Sequence, residues 1–301
     1  MNSGSDLIRL IRLQARIYHN AKICGNWQIR EHAIGNTCFH VVTSGACAID
    51  IPGHFSTVLE LGDLVLFPRE LAHNMSPQEP QTGEQQHLPY GESEDIAGTG
   101  LLCAEVTFKH PASDELLNAL PPVVIVRNDA DSPWLRPLLE LTLRESHGAA
   151  LAKEGLLDRL CELLFVYSLT HYFEQASSEL NGPLALHAHA RLRHALDAVH
   201  KAPGSAWTLT RMAAEAAMSR SLFATTFRQV SGWTPMQYLG WWRMQLGWSY
   251  LEAGRAVADV ADALGYKSQA AFSRAFSKCF GVNAGQVRRD RKRASSDVRV
   301  F

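Results

Sequence analysis

One pattern occurs twice near the C terminus, and few folds can accommodate it. From Met212 the chain reads MAAEAAMSRSLFATTFRQVSGWTP, and from Val260 it reads VADALGYKSQAAFSRAFSKCFGVNA. Ser219, Phe223, Phe227 and Gly232 return 49 residues later as Ser268, Phe272, Phe276 and Gly281. In the second copy, Val257, Val260, Ala261 and Leu264 have helix spacing and stop at Gly265-Tyr266, the mark of a glycine-terminated helix. Ser268 then offers an N-cap for a helix running to about Phe280, whose phenylalanines form one buried stripe. A short helix, a tight turn and a second helix with a polar outer face make a helix-turn-helix, the geometry that enters a DNA major groove.

The outer faces carry matching chemistry. Arg220, Ser221, Ala224, Thr225 and Arg228 face out in the first copy, and Gln269, Ala270, Ser273, Arg274 and Ser277 in the second. Arginine reads guanine bidentately, glutamine reads adenine, and alanine or a threonine methyl packs on the thymine methyl. The helix-capping Ser219 and Ser268 stand beside these faces, and serine and arginine also hold phosphates, which set register. Arg274 and Gln269, with Arg220 and Thr225, are the foremost candidates for base reading. The competing reading is an ordinary solvated helix face; recurrence at a fixed offset weighs against it.

Charge divides along the same line. Residues 1–182 hold 12 Lys+Arg against 23 Asp+Glu, whereas residues 183–301 hold 17 against 7. An acidic half joined to a basic half suggests that one part meets a polyanion. Met1–Asp6 is polar and the next apolar residues alternate with arginines, so no signal peptide is visible. The most apolar run, Leu156–Phe173, is broken by Asp158, Arg159 and Glu162 and does not read as a membrane span. The six cysteines lack CxxC spacing, and a cytoplasmic location is expected.

In the first half, Leu7–Tyr18 reads as a short amphipathic helix. Short apolar runs between Ile23 and Phe67, separated by Gly35-Asn36, Ser44-Gly45, Pro52-Gly53 and Gly62-Asp63, read as closely spaced strands. The segment Gly62-Asp63-Leu64-Val65-Leu66-Phe67-Pro68 leading to His73 resembles the second motif of the cupin barrel. Phe39-His40-Val41-Val42 and Gly45 resemble the end of its first motif. The polar stretch 76–100 reads as a mobile loop between strands, and Leu101–Phe108 as a returning strand. Trp134–Arg144 and Leu156–Phe173 read as amphipathic helices, suited either to contact between subunits or to capping the barrel. Asn181-Gly182-Pro183 marks a linker.

Residues 187–290 resemble the DNA-binding domain of the AraC/XylS family of bacterial transcription regulators. Leu264-Gly265-Tyr266, Ser268, Phe272, Arg274, Phe276 and Phe280-Gly281 carry the likeness, with Phe223, Phe227, Thr234-Pro235 and Arg243 in the first half. The resemblance implies two helix-turn-helix units joined by one long helix at about Pro235–Leu251, reading adjacent major-groove segments of promoter DNA, with RNA polymerase as a further partner. Asn283-Ala284 and Val287-Arg288 depart from the usual Thr-Pro and Tyr-Arg, which bears on where the last helix starts. Gly247 lies inside the long helix and would allow close packing beside Trp241, Trp242 and Trp248; these tryptophans read as core residues. The expected fold is α+β: a cupin-like sensor barrel over 1–126, a helical connector or dimerisation element over 127–182, an all-α double helix-turn-helix domain over 183–290, and a basic tail over 291–301.

The barrel reads as a sensor more readily than as an enzyme. The cupin metal pattern needs two histidines one residue apart, a glutamate and a later histidine; here His40 and His73 stand without those companions. Neither a metal nor a cofactor is therefore expected. Cys24 and Cys103, with His40 and His73, resemble the arrangement in cupin-bearing activators that respond to reactive chlorine species or other oxidants. A thiolate reacts when exposed and near positive charge, while a buried thiol behaves as a small hydrophobe. An oxidant or electrophile, a small organic ligand, and Cu(I) held by His and Cys are the signals considered. Cys38, Cys47, Cys161 and Cys279 read as packing residues. A cupin enzyme carrying a DNA-binding module, and a constitutive DNA-binding protein whose barrel only dimerises, are the alternatives.

Overall fold

A computed structural model describes residues 12–32, 35–89, 96–147, 153–175 and 182–297, together with Asp6 and Leu10. The chain separates into two compact units. One comprises Leu13–Phe108 and Leu120–Ala176; the other comprises Ser177–Phe301 with Met1–Arg12 and Lys109–Ala119.

The first unit is a two-sheet barrel. Strands β1 (Leu13–Cys24), β3 (Thr37–Ser44), β6 (Leu64–Phe67), β8 (Gln86–Pro89), β9 (Thr99–Phe108) and β10 (Val124–Val126) form one sheet in the order β10-β6-β3-β9-β1-β8. Strands β2 (Ile29–His32), β4 (Cys47–Ile51), β5 (Phe55–Leu59) and β7 (His73–Pro77) form the other, in the order β2-β7-β4-β5. All described pairings are antiparallel. Alternate residues point inward, and Trp27, Val42, Cys47, Ile49, Val65, Phe67 and Leu101 fill the space between the sheets.

The cupin-like Gly62-Asp63 turn is a structural joint. The Asp63 carboxylate accepts hydrogen bonds from Arg127 at 2.6 Å, the Asn128 amide at 2.9 Å and the Glu60 amide at 3.0 Å. Arg127 also donates to the Val58 carbonyl at 2.7 Å, so the segment after β10 is tied to β5 and to the turn before β6. Gly62 has φ 88°, and a side chain there would meet Asn128.

Two expectations are corrected in this unit. The region expected as a helix over Leu7–Tyr18 is a strand from Leu13 onward, because Leu13–Ile17, with five further residues of β1, pair with β9 and long-range pairing overrides a local helical period. Within the stretch expected as an unstructured loop, Gln86–Pro89 forms β8 and pairs with Ala21–Cys24; a polar edge strand carries no apolar alternation to reveal it. Residues 90–95 of that stretch lie outside the described residues. The two expected helices form as α2 (Leu135–His147) and α3 (Lys153–Gln175); the short α1 (Ala112–Asn118) before them belongs to the helical unit. Helix α3 packs along β1, and α2 and α3 cluster with the barrel.

The second unit is helical. Helices α4 (Gly182–Ala188) and α5 (Ala190–Lys201) precede α6 (Leu209–Glu215) and α7 (Arg220–Ser231); α8 (Pro235–Glu252) is the long connecting helix; α9 (Val257–Ala263), α10 (Gln269–Phe280) and α11 (Ala284–Asp297) follow. Helix α8 opens with a reciprocal capping box between Thr234 and Gln237 and a proline in its first turn, which sets its start. Its core side is aromatic: Trp242 stacks on His200 at 3.6 Å, and Tyr238 donates to or accepts from His200 Nε2 at 2.8 Å. Gly247 packs against the Phe272 ring, 3.0 Å from where its Cβ would stand. The altered end is resolved simply: the Asn283 side chain accepts from the Gln286 amide at 2.9 Å and serves as the N-cap of α11.

Candidate functional site

The two helix-turn-helix units are built by the same local rules. In each, a serine caps the second helix: Ser219 accepts from the Leu222 amide, Ser268 from the Ala271 amide. In each, the helix ends on a left-handed glycine, Gly232 at φ 74° and Gly281 at φ 71°. Phe223, Phe227, Phe272 and Phe276 are fully buried. This anchoring turns the other face outward. Ser219, Arg220, Ser221, Thr225 and Arg228 are exposed, as are Ser268, Gln269, Ala270 and Arg274, while Ala224 and Ser273 are half-buried. Every residue assigned to the outer faces is therefore accessible to a partner.

The turn between α9 and α10 is held from behind. Gly265 adopts φ 72°, and a Cβ on it would stand 2.1 Å from the Gly204 carbonyl oxygen. Arg243 of α8 donates to the carbonyls of Pro203 and Ser205 at 2.8 and 2.9 Å. The connecting helix, the segment before α6 and the second turn are thus one fixed assembly, which holds both recognition helices relative to each other. His110 adds a further tie: Nδ1 accepts from the Ala112 amide at 3.1 Å while Nε2 faces the Gln245 carbonyl at 3.2 Å and the Ser249 hydroxyl at 3.0 Å.

In the barrel, His40 and His73 meet, with their Nε2 atoms 2.9 Å apart. Sequence reasoning missed the third imidazole beside them, that of His32, which faces His73 across the β2–β7 pairing. The inference that a three-histidine set is lacking is thereby corrected; the histidines come from three strands, so no local spacing announces them. Nδ1 of His73 donates to the Leu71 carbonyl at 2.8 Å, which leaves Nε2 with its lone pair. The Tyr18 hydroxyl bonds His32 Nε2 at 2.8 Å. The residues present suit a transition ion in their donor type, three neutral imidazoles with no carboxylate.

The two cysteines singled out from sequence are not together. Cys103 lies opposite both His40 and His19, whereas Cys24 pairs with Gln86 five residues further along β1. At about 3.3 Å per residue the separation along the strand is about 16 Å, beyond the roughly 7 Å limit on Cα separation for a disulfide. Both are buried, and burial raises the Cys103 thiol well above the ordinary range, with Cys38 and Cys47 adding to the effect. Cys38 is pushed up to about 12 by burial, with the Glu70 carboxylate contributing. Cys279, expected to be a packing residue, is exposed.

A barrel of the cupin type joined to paired helix-turn-helix units defines a DNA-binding regulator class. Residues 5–174 match the family described as Cupin, and residues 212–290 match the family described as Helix-turn-helix domain. The chain belongs to the cupin family and carries an AraC-type DNA-binding domain, which makes it an AraC-family transcription regulator. It is 29% identical to the RCS-specific HTH-type transcriptional activator RclR of Escherichia coli K12 over 96% of this chain and 97% of that protein. It is 28% identical to the HTH-type transcriptional regulator MtrA of Neisseria gonorrhoeae over 94% of this chain and 97% of the relative. The DNA-binding domain of AdpA, solved in complex with a target DNA, matches at 26% identity and a TM-score of 0.31, over 32% of this chain and 87% of that one. Among the described residues no helix is long and apolar enough to cross a membrane.

Proposed function

We propose that this chain is a cytoplasmic transcription activator that reads two adjacent major-groove segments of promoter duplex DNA and acts with RNA polymerase. The observation that carries the reading is the pair of exposed, serine-capped faces at one offset, centred on Arg220 and Thr225 and on Gln269 and Arg274. Arg228 and the serines serve phosphates, which hold register, and the basic tail from residue 291 adds unspecific attraction. The matched relatives are named as regulators, which favours a regulator over a cupin enzyme carrying a DNA-binding module. Exposed Leu156, Leu163 and Tyr167 share one side of α3 and provide a surface for a homodimer.

The barrel half is the sensor in this reading. A relative named as RCS-specific favours an oxidant signal; Cys103 lies opposite His40 in the sheet, and its burial requires the barrel to open before the thiolate can react. Cys24 acts separately, since it pairs with Gln86 instead. A small organic ligand has a second place to bind, a concavity of about 600 Å³ on the four-stranded sheet lined by Gln28, Arg30, Asp50, Asn74 and their neighbours. Reporter induction by hypochlorite in wild type, Cys24→Ser and Cys103→Ser separates the routes. Loss in Cys103→Ser supports the oxidant route, and induction that survives both substitutions rules it out.

A further inference from the structure

We propose that the groove between α8 and α10 binds a small planar aromatic carboxylate. The groove has a volume of about 530 Å³, within the range of small-molecule sites. Trp233, Met236, Trp241, Met244 and Tyr266 supply its apolar surface. Met236 is 46% exposed, and Trp233 and Trp241 are half-buried, with ring centroids 5.8 Å apart at 79°. Aromatic rings set edge to face leave faces and edges on which a further flat ring packs, and the two thioethers adapt to its outline.

Gly240 separates this groove from an ordinary gap between helices. It lies inside α8, where glycine is the poorest helix former after proline. The glycine further along that helix, Gly247, is required by packing, since a Cβ there would stand 3.0 Å from the Phe272 ring. A Cβ on Gly240 would meet nothing within 4 Å, and its φ is not positive, so neither packing nor backbone conformation calls for glycine. What the missing side chain leaves open is the floor of the groove, which Gly240 lines. The charge of the site is one-sided. Among the described lining residues, Lys278 is the one ionised at pH 7, and it is exposed. The Glu115 carboxylate acts on Cys279 but does not line the groove. Gln237 uses its Oε1 to accept from the Thr234 amide and hydroxyl, which leaves its side-chain N–H groups to donate. Burial raises the Tyr266 hydroxyl above its ordinary range, so it also stays protonated and able to donate. A cation, hydrogen-bond donors and aromatic walls match an anion carried on a flat ring.

The test uses the full-length chain, with 2-naphthoate as the probe and 2-naphthamide as its uncharged counterpart. Cys279 lines the groove and is exposed, whereas the other five cysteines are buried, so brief maleimide labelling reads occupancy of the groove. At about ten times its Kd, 2-naphthoate should slow that labelling about tenfold, because the free fraction falls to about a tenth. Tryptophan fluorescence should change in parallel, with one molecule bound per chain. Gly240→Leu fills the floor from a Cβ that meets no neighbour; it should keep the wild-type circular dichroism and lose both signals. Lys278→Met should weaken 2-naphthoate about two- to fivefold, as an exposed ion pair would, and leave 2-naphthamide unchanged. Absence of protection in the wild type overturns the proposal. Protection that survives Gly240→Leu, or an equal response of both probes to Lys278→Met, also overturns it. If the wild type ignores both probes while Gly240→Leu alters sedimentation of the chain or lowers its affinity for duplex DNA, the groove belongs to a second copy or to DNA, and the proposal falls. The binding readouts involve no DNA, so their failure leaves the regulator reading standing.

Discussion

Replacing Gly265 by alanine perturbs the point where the second turn meets the backbone of Gly204. Two costs act together. The φ of 72° places an L-residue in the left-handed region, at about 1–2 kcal/mol. The new Cβ would also stand 2.1 Å from a backbone oxygen, and opening that contact requires a backbone shift of about 1 Å, worth about 1–3 kcal/mol. The sum is about 2–5 kcal/mol. Two controls separate the terms. Gly232→Ala has a φ of 74° and open space around the Cβ, so it carries only the conformational cost. Gly204→Ala lacks the positive φ but brings its Cβ 2.3 Å from the Ala263 oxygen, so it carries mainly the steric cost. Urea denaturation of the full-length variants, followed by tryptophan fluorescence, ranks the three. Because α10 begins just beyond this turn, Gly265→Ala should also weaken promoter binding more than Gly232→Ala does at equal folded fraction. If Gly265→Ala were no more destabilising than Gly232→Ala, the close approach that fixes the second recognition helix would not exist.

Arg274→Ala should leave the unfolding midpoint unchanged, since the side chain is exposed, yet cost about 1–3 kcal/mol of affinity for a selected site, roughly 5- to 150-fold in Kd; an unaltered Kd in a gel-shift titration would remove it from the interface. Asp63→Ala removes the acceptor of three hydrogen bonds around a residue 5% exposed and should destabilise the barrel unit by about 2–4 kcal/mol in a thermal or urea melt. His110 is held down to about 4, by burial first, with the Gln245 carbonyl opposing and Arg12 adding to the depression. The unfolded state, with an ordinary value near 6.5, therefore binds the proton first. Stability of the helical unit should fall as pH drops below about 6.5, by up to about 1.4 kcal/mol per unit, levelling near pH 4, and His110→Gln should reduce that slope; equal slopes would refute it.

The helix-turn-helix pair was legible because its determinants are local. A serine cap, phenylalanines four apart and a terminal glycine each act within a few residues, and α10 begins and ends where Ser268 and Gly281 place it. The connecting helix was equally readable from Thr234-Pro235. The barrel was legible as short strands, but its edges were not: β1 looks helical by period and is made a strand by β9, and β8 is polar. The histidine cluster was hidden for the same reason. His32, His40 and His73 lie on separate strands, and only their pairing and the closure of two sheets bring them together. The Gly62-Asp63 motif was visible, but its role as the anchor for Arg127 depends on a partner 64 residues away.

In the proposed reading one protomer engages two major-groove segments with two faces of the same build. A duplex selected from a random pool by the full-length protein, then probed by guanine methylation interference, tests it directly. Two clusters of interfering major-groove guanines are expected about one helical turn, roughly 34 Å, apart, one of which disappears with Arg220→Ala and the other with Arg274→Ala. A single cluster, or a pattern that neither substitution changes, would contradict it.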